Sequence, residues 1–206
     1  MKRVLVSLVW PVLLCAQQYK ADKAGPPPEV ALGIAQVLEK SGFQITNSGA
    51  KYCELWFRAA LPAGAAASKE SNVTLPEVPV GALLGVIRFD VQGTDRRGQT
   101  IQPGVYVLRY GILPDNDNHQ GAAPHRDFLV LTPAGEDQDP TTVPKFDALI
   151  ALSRKVSGTA HPAVLSFWKT DTDAPGFSQQ GDTDWVLQTK IGETPIAVIV
   201  AGVAGG

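Results

Sequence analysis

Apolar and polar residues alternate along much of the chain, and a period of two residues predicts β-strands. Eight segments show the composition and pattern of strands, with Gly, Pro, Asn or Asp between them. They cover residues 43–45, 51–58, 80–91, 105–110, 128–132, 163–168, 185–191 and 196–203. The last segment is apolar on both faces, which predicts a strand in the middle of a sheet.

Two segments have the spacing of helices instead. In residues 29–40 the apolar positions recur every three or four residues, Pro28 precedes them, and Gly42 follows as a stop signal. Residues 145–156 repeat this pattern and end before Gly158. The sequence therefore predicts two short helices among many strands.

These elements predict a mainly β protein, an antiparallel β-sandwich of about eight strands with two short helices on an edge or an open face. Strands and helices do not alternate regularly, which argues against a doubly wound parallel sheet. The polar stretch 17–28 ends in three prolines and is predicted to be a stiff linker. Residues 29–206 then form a single domain.

The N-terminus has the pattern of an export signal. Lys2 and Arg3 precede an apolar run over residues 4–14, and Cys15 and Ala16 follow it. The run is shorter than the roughly 20 residues that span a bilayer. Residues 1–16 are therefore predicted to be a signal peptide of a secreted or periplasmic protein. Two alternatives stay open: a lipoprotein anchored at Cys15, and a buried N-terminal element.

Composition narrows the classes of function. Of 206 residues, 44% are hydrophobic and 18% are charged, which is too apolar for a disordered chain. The formal charge of −2 argues against a nucleic-acid partner, since such proteins carry a basic surface. Without Cys15, Cys53 has no partner for a disulfide, so we expect it to be a small apolar core residue. The alternative for Cys53 is a catalytic thiol.

Three stretches of the chain resemble an uncharacterised family of secreted bacterial β-sandwich proteins. They are Arg97-Gly-Gln-Thr-Ile-Gln-Pro-Gly-Val-Tyr-Val-Leu-Arg-Tyr110, Pro114-Asp-Asn-Asp-Asn-His-Gln-Gly121 and Arg126-Asp-Phe-Leu-Val-Leu131. The resemblance implies an exported β-rich domain. It implies no activity, because the family has none assigned.

The histidines suggest one candidate metal site. His119 and His125 lie in one polar segment, Asp127 shares a strand face with His125, and His161 begins another strand. Imidazole nitrogens and a carboxylate would suit a divalent metal such as zinc, copper or iron. The alternative is that these are polar loop residues which hydrogen-bond the backbone.

Aspartates suggest a second candidate. Asp171 and Asp173 form one pair and Asp182 and Asp184 another, separated by residues 174–181. If a single loop carries both pairs, their oxygens would suit calcium. The alternative is a hairpin tip whose turns these aspartates cap.

The sequence restricts the possible functions less than it restricts the fold. The sequence has no nucleophile elbow, zinc-protease motif or phosphate-binding loop. Tyr52, Trp56, Trp168 and Trp185 would bind a sugar or peptide if exposed, and would belong to the core if buried. We expect a non-enzymatic module that binds an envelope or extracellular ligand or protein. A metal-binding protein and an unrecognised hydrolase are the alternatives.

Overall fold

The computed structural model describes residues 18–62, 67–114 and 125–204, which form mainly antiparallel β-structure. The strands are β1 (Tyr19–Ala24), β2 (Gly42–Asn47), β3 (Ala50–Phe57), β4 (Leu83–Phe89), β5 (Gly93–Thr94), β6 (Thr100–Ile101), β7 (Gly104–Ile112), β8 (Asp127–Pro133), β9 (Val164–Lys169), β10 (Gly176–Gln180), β11 (Asp184–Ile191) and β12 (Thr194–Ala201). Each of the eight predicted strands is found.

Ten of these strands form one sheet in the order β1-β2-β3-β4-β7-β8-β9-β12-β11-β10, and β5 and β6 form a separate ribbon. The long sheet curls until it is nearly barrel-shaped. All ten strands contribute side chains to a single apolar core on its concave face. Alternate residues of each strand point inward, which is why the period-two pattern of the sequence is so regular.

The mainly β, antiparallel prediction with two helices is confirmed, but the described residues do not clearly form a sandwich of eight strands. The sheet extends beyond the predicted strands because β1 lies in the stretch predicted to be a linker and β10 in one predicted to be a loop. Both are edge strands. They bring the ends of the sheet towards each other, so that it encloses its own core.

Two helices cover the convex face of the sheet. Helix α1 (Leu32–Val37) places Ile34 on Trp56 and Leu83, and helix α2 (Phe146–Ser157) places Leu149 on β8. Helix α1 is shorter than the predicted range 29–40, and α2 is shifted by one residue from the predicted range 145–156. As predicted, α2 ends before Gly158, which has a positive φ of 66°. No helix within the described ranges is long and apolar enough to cross a membrane.

One end of the rolled sheet is filled by the connection between β3 and β4. We call residues 67–82 the plug, since its Leu75 and Val78 are buried in the core. The carboxylate of Asp127 holds the plug, accepting hydrogen bonds from the backbone N–H groups of Thr74 (2.9 Å) and Leu75 (3.1 Å) and from the hydroxyl of Tyr110 (2.7 Å). Asp127 is fully buried, so these bonds replace its hydration.

Arg109 on β7 makes five side-chain hydrogen bonds inside the fold. Its fully buried guanidinium forms a two-point ion pair with Asp137, with Nε–Oδ2 and Nη2–Oδ1 distances of 2.7 and 2.5 Å. The remaining N–H groups donate to the carbonyls of Gly81, Thr142 and Asp139 at 2.6–2.9 Å. All five donors are satisfied, so the charge tolerates burial.

Replacing Arg109 with Met should therefore destabilise the protein strongly. The change leaves the Asp137 carboxylate buried without its cation, which costs about 3–5 kcal/mol in comparable pairs. Lys155→Met is the matched control, since Lys155 forms an exposed pair with Glu136 that should contribute less than about 1 kcal/mol. Urea unfolding measures both, and equal losses in the two variants would contradict this account.

The hydrogen bonds of Asp127 make a second prediction about the plug. Asp127→Asn turns one acceptor oxygen into an NH₂ group that faces a backbone N–H donor, and an unmade buried bond costs about 1–3 kcal/mol. We expect faster amide hydrogen exchange at Thr74 and Leu75 than in the parent protein. Asp139→Asn is the control, because Asp139 is exposed and its carboxylate bonds only within its own turn. Unchanged exchange at Thr74 would show that the carboxylate does not hold the plug.

Candidate functional site

A cleft of about 740 Å³ opens at the end of the rolled sheet opposite the plug. We call it the end cleft. The starts of β1, β3 and β11 and the ends of β2, β10 and β12 border it, together with β5. The open ends of rolled sheets are common ligand sites, because strands fix the walls while turns vary around them. Its lining includes Tyr19, Asn47, Lys51, Tyr52, Val91, Gln92, Thr94, Gln179, Asp182, Trp185 and Val203.

Two β-bulges shape the walls of the end cleft. In β3 the register with β2 shifts so that Tyr52 is an extra residue between Lys51 and Cys53. In β12 the register with β11 shifts in the same way at Val200. A bulge turns consecutive side chains towards one face, and both Tyr52 and Cys53 accordingly join the core. The bulge in β3 therefore brings Tyr52 to the floor of the cleft.

Aromatic rings form a continuous row beneath the cleft. Tyr19 meets Tyr52 edge-on with ring centroids 5.3 Å apart, and meets Trp185 at 5.5 Å. Trp185 stacks on Phe177 of β10 at 5.6 Å. The contact between Tyr19 and Trp185 joins β1 to β11, so the row crosses the gap between the two edges of the sheet.

The polar atoms of this row remain available to a ligand. Within the described ranges, the Tyr19 hydroxyl and the Trp185 Nε1 have no hydrogen-bond partner, yet neither is a buried unpaired atom. Both therefore face accessible space. Tyr52 accepts only a long bond, 3.4 Å, from the backbone N–H of Thr94. Burial, with a smaller contribution from the Cys53 thiol, raises the pKa of both tyrosines, so their hydroxyls stay neutral donors.

The ribbon of β5 and β6 forms one wall of the cleft. Asp95 shapes its turn, accepting hydrogen bonds from the backbone N–H groups of Arg97 and Gln99 and from the side chain of Gln99. Burial raises the pKa of Asp95, and these bonds oppose that shift. Arg96 binds Asp184 at the start of β11, with Nη2 and Oδ2 3.0 Å apart. The wall is thus tied across the end of the sheet.

The rim of the cleft combines apolar and polar side chains. Val91 and Val203 are 45% and 52% exposed, and they are two of the few large apolar residues on the described surface. Gln92 and Gln179 add amide groups, and Lys51 and Asp182 add one charge of each sign. An exposed apolar rim around polar donors favours an uncharged, amphipathic ligand.

The three predicted metal residues that lie in the described ranges, Asp127, His125 and His161, are not assembled around one point. Asp127 is buried, and its oxygens hold the plug. His125 packs on Trp168, with ring centroids 5.5 Å apart, whereas His161 is exposed and precedes the start of β9. Val164 and Trp168 are about 13 Å apart along β9 at about 3.3 Å per residue. His125 and His161 therefore lie towards opposite ends of that strand. His119 is outside the described residues.

The four aspartates predicted to bind calcium are also separated. Residues 176–180 form β10, so Asp171 and Asp173 lie before the strand, and Asp182 and Asp184 lie after it. The hypothesis assumed a single loop, and the polar sequence of β10 concealed the strand. Asp173 pairs with Lys190, Nζ to Oδ1 3.4 Å, and Asp184 pairs with Arg96. Within the described ranges, no three His, Cys, Asp or Glu residues form a group suited to a metal ion.

Two of the four aromatic residues proposed for ligand binding line the end cleft, and two lie elsewhere. Tyr52 and Trp185 reach the end cleft. Trp56 is buried under helix α1, where its Nε1 donates to the carbonyl of Gly25 at 2.9 Å, and Trp168 lies beside His125. The sequence pattern does not single out Tyr19, Gln92, Gln179 or Val203, which also line the cleft. The alternation of Tyr19 with Ala21 does indicate a β-strand, although the pattern is short and lies among charged residues.

The Cys53 thiol is fully buried and belongs to the core, as expected. Burial raises the pKa of this thiol well above its usual range, and the carboxylates of Asp90 and Glu54 raise it further. A thiol held in its neutral form is a poor nucleophile.

Comparison with known proteins finds no significant likeness: no family model, no curated protein and no solved structure matches this chain.

Proposed function

We propose that this protein is a non-catalytic binding module of the cell envelope or the extracellular space, and that the end cleft is its ligand site. One observation carries the proposal. The Tyr19 hydroxyl and the Trp185 N–H face accessible space without partners in the described chain, beneath a rim where Val91 and Val203 are exposed. Donors over an apolar floor, inside an apolar rim, suit an amphipathic ligand that brings its own acceptors.

The ionisable groups of the cleft favour binding over chemistry. The raised pKa values of Tyr19 and Tyr52 make both hydroxyls unsuitable as bases near neutral pH. The Lys51 ammonium lies 3.6 Å from the Glu54 carboxylate and is half exposed, so it lacks the desolvation that activates a lysine. These groups can donate hydrogen bonds and fix the orientation of a ligand.

The proposed location rests on the pattern of the first 16 residues: a basic start, an apolar run and a small residue at its end. The interior of the fold is compatible with an oxidising compartment, because Cys53 is buried away from solvent and oxidants. The metal-binding and hydrolase hypotheses gain no support from the described side chains, so binding remains the preferred proposal.

The end cleft can be tested by fragment binding to ¹⁵N-labelled protein. A library of neutral amides and cyclic alcohols should perturb backbone resonances around Tyr52, Thr94 and Trp185 together. Trp185→Ala should weaken the best fragment at least tenfold, about 1.4 kcal/mol, because it removes both an apolar wall and a donor. Trp168→Ala is the matched control, since Trp168 is also half-buried but lies outside the cleft.

Two results would contradict this proposal. One is the absence of any clustered perturbation at the end cleft across the library. The other is an equal loss of affinity in the Trp185 and Trp168 variants while both stay folded, which would place the fragment elsewhere.

The proposed export signal makes a separate prediction. Expression in a bacterial host with a general secretion pathway should place the protein outside the cytoplasm, with Gln17 as its first residue. Intact-mass spectrometry measures this directly. A chain that begins at Cys15 and carries lipid would support the anchor alternative, and a cytoplasmic chain that retains residues 1–16 would contradict export.

A further inference from the structure

The rolled sheet is left open between its two edge strands. Among the described residues, β1 pairs only with β2, and β10 pairs only with β11. A groove of about 550 Å³ lies between them, lined by residues of β1, β2, β10 and β11. We call it the seam. Each of its two banks is a strand with main-chain N–H and C=O groups that have no strand partner in the described chain.

Core side chains come to the surface along the seam. Ala21, Phe43 and Phe177 pack on the core but are only partly buried, and the buried Leu187 lines the seam with them. The alternation of β1 turns Tyr19 and Ala21 inward, and that of β10 turns Phe177 inward. The floor of the seam is therefore apolar, with main-chain hydrogen-bonding groups along both sides.

The seam and the end cleft form one continuous surface. Tyr19 and Ala21 are alternate residues of β1, and Gln179 and Phe177 are alternate residues of β10. In each pair, the first residue lines the cleft and the second lines the seam. The stacked rings of Trp185 and Phe177 span the boundary. A ligand held in the cleft can thus continue along the seam without leaving an apolar floor.

We propose that the ligand of the end cleft is an extended peptide, which continues along the seam and adds a β-strand to the edge of the sheet. The inference rests on the proposed binding function and names its ligand class. A peptide strand is the ligand whose chemistry fits both features. Its main chain supplies hydrogen-bonding groups in a regular repeat, and every second side chain faces the floor.

The dimensions and charges of the seam define the peptide further. β10 has five residues, so the seam accommodates a strand of about five residues, or about 17 Å at about 3.3 Å each. Ala21, Phe43, Phe177 and Leu187 make the middle of the lining uncharged. Asp22 and Lys23 stand together near the end of β1, with neither forming an ion pair in the described chain. We expect apolar residues at alternate positions of the peptide and no net charge in its middle.

The test begins with a phage-displayed library of random seven-residue peptides, selected on the purified full chain. The enriched peptides should alternate apolar and polar residues. The best synthetic peptide should lose at least tenfold in affinity when its alternate amides are N-methylated on the edge that pairs with the sheet. N-methylation removes main-chain donors and leaves every side chain in place, so the comparison isolates strand addition.

Matched variants then locate the peptide on the protein. Ala21→Trp fills the floor of the seam and should weaken the peptide at least tenfold, whereas Lys20→Trp on the opposite face of β1 should not. Phe177→Asp is a second blocking variant in case Ala21→Trp does not fold, because it places a charge on the apolar floor of the seam.

Each outcome decides the inference. It is overturned if no peptide is enriched, if N-methylation lowers the affinity on neither edge of the peptide, or if the folded blocking variants bind as tightly as Lys20→Trp. Clustered fragment binding at the end cleft with no enriched peptide would overturn the peptide ligand and leave the proposed function standing. Binding of cellotetraose or chitotetraose in place of peptides would do the same and identify a carbohydrate ligand. Failure of both fragments and peptides would remove both proposals.

Discussion

The ion pair of Arg109 and Asp137 is the contact on which the outer layer of the fold depends. An arginine at the centre of a sheet is costly unless every N–H group finds an acceptor, and here the acceptors come from two separate parts of the chain. Gly81 lies near the end of the plug, and Asp137 to Thr142 lead into helix α2. The hydroxyl of Thr132 on β8 also donates to the Asp137 carboxylate, at 2.6 Å. The pair therefore sets where the polypeptide enters β4 and where it leaves the sheet towards α2. The two segments are held in place together, because groups of both accept hydrogen bonds from the same guanidinium.

The two ends of the rolled sheet differ because one of them is filled from within. At the plug, Leu75 and Val78 complete the core, and the buried Asp127 carboxylate compensates the backbone N–H groups that come with them. At the other end, the described chain covers the core with the short ribbon of β5 and β6, whose Ile101 belongs to the main core cluster. The rings of Tyr19, Tyr52 and Trp185 fill the remaining space without using all their polar atoms. The end cleft is thus a consequence of incomplete closure by a ribbon too short to span the opening.

The sequence predicted the strands that are long and regular, and missed those that close the sheet. Residues 105–110 and 196–203 repeat apolar positions often enough to be recognised. By contrast, β1 has three apolar residues among Lys and Asp, and β10 has one, Phe177, among Gly, Ser and Gln. Without β1 and β10, the remaining eight strands predict a sandwich, and the two aspartate pairs fall in one predicted loop. The orientation of Tyr52 could not be predicted from the pattern for another reason. Alternation alone places Tyr52 on the same face of β3 as Trp56, but a bulge breaks the period of two there, and Tyr52 joins the main core instead. The metal hypothesis grouped His125 and His161 by residue type, and the sequence could not show that they lie towards opposite ends of β9.

An open seam with an apolar floor is also an aggregation hazard, and the composition of its edges shows how the hazard is limited. β1 carries Lys20, Asp22 and Lys23, and β10 is five residues long with polar side chains at three of its positions. Charges and short length both oppose unselective pairing of edge strands, including pairing between two copies of this chain. They do not block the main chain itself, because neither strand contains proline. A peptide that binds there must bring apolar side chains to Ala21 and Phe177 and tolerate the charges of β1. Selectivity would then come from the side chains, while the main-chain bonds would supply affinity to any strand that meets those conditions.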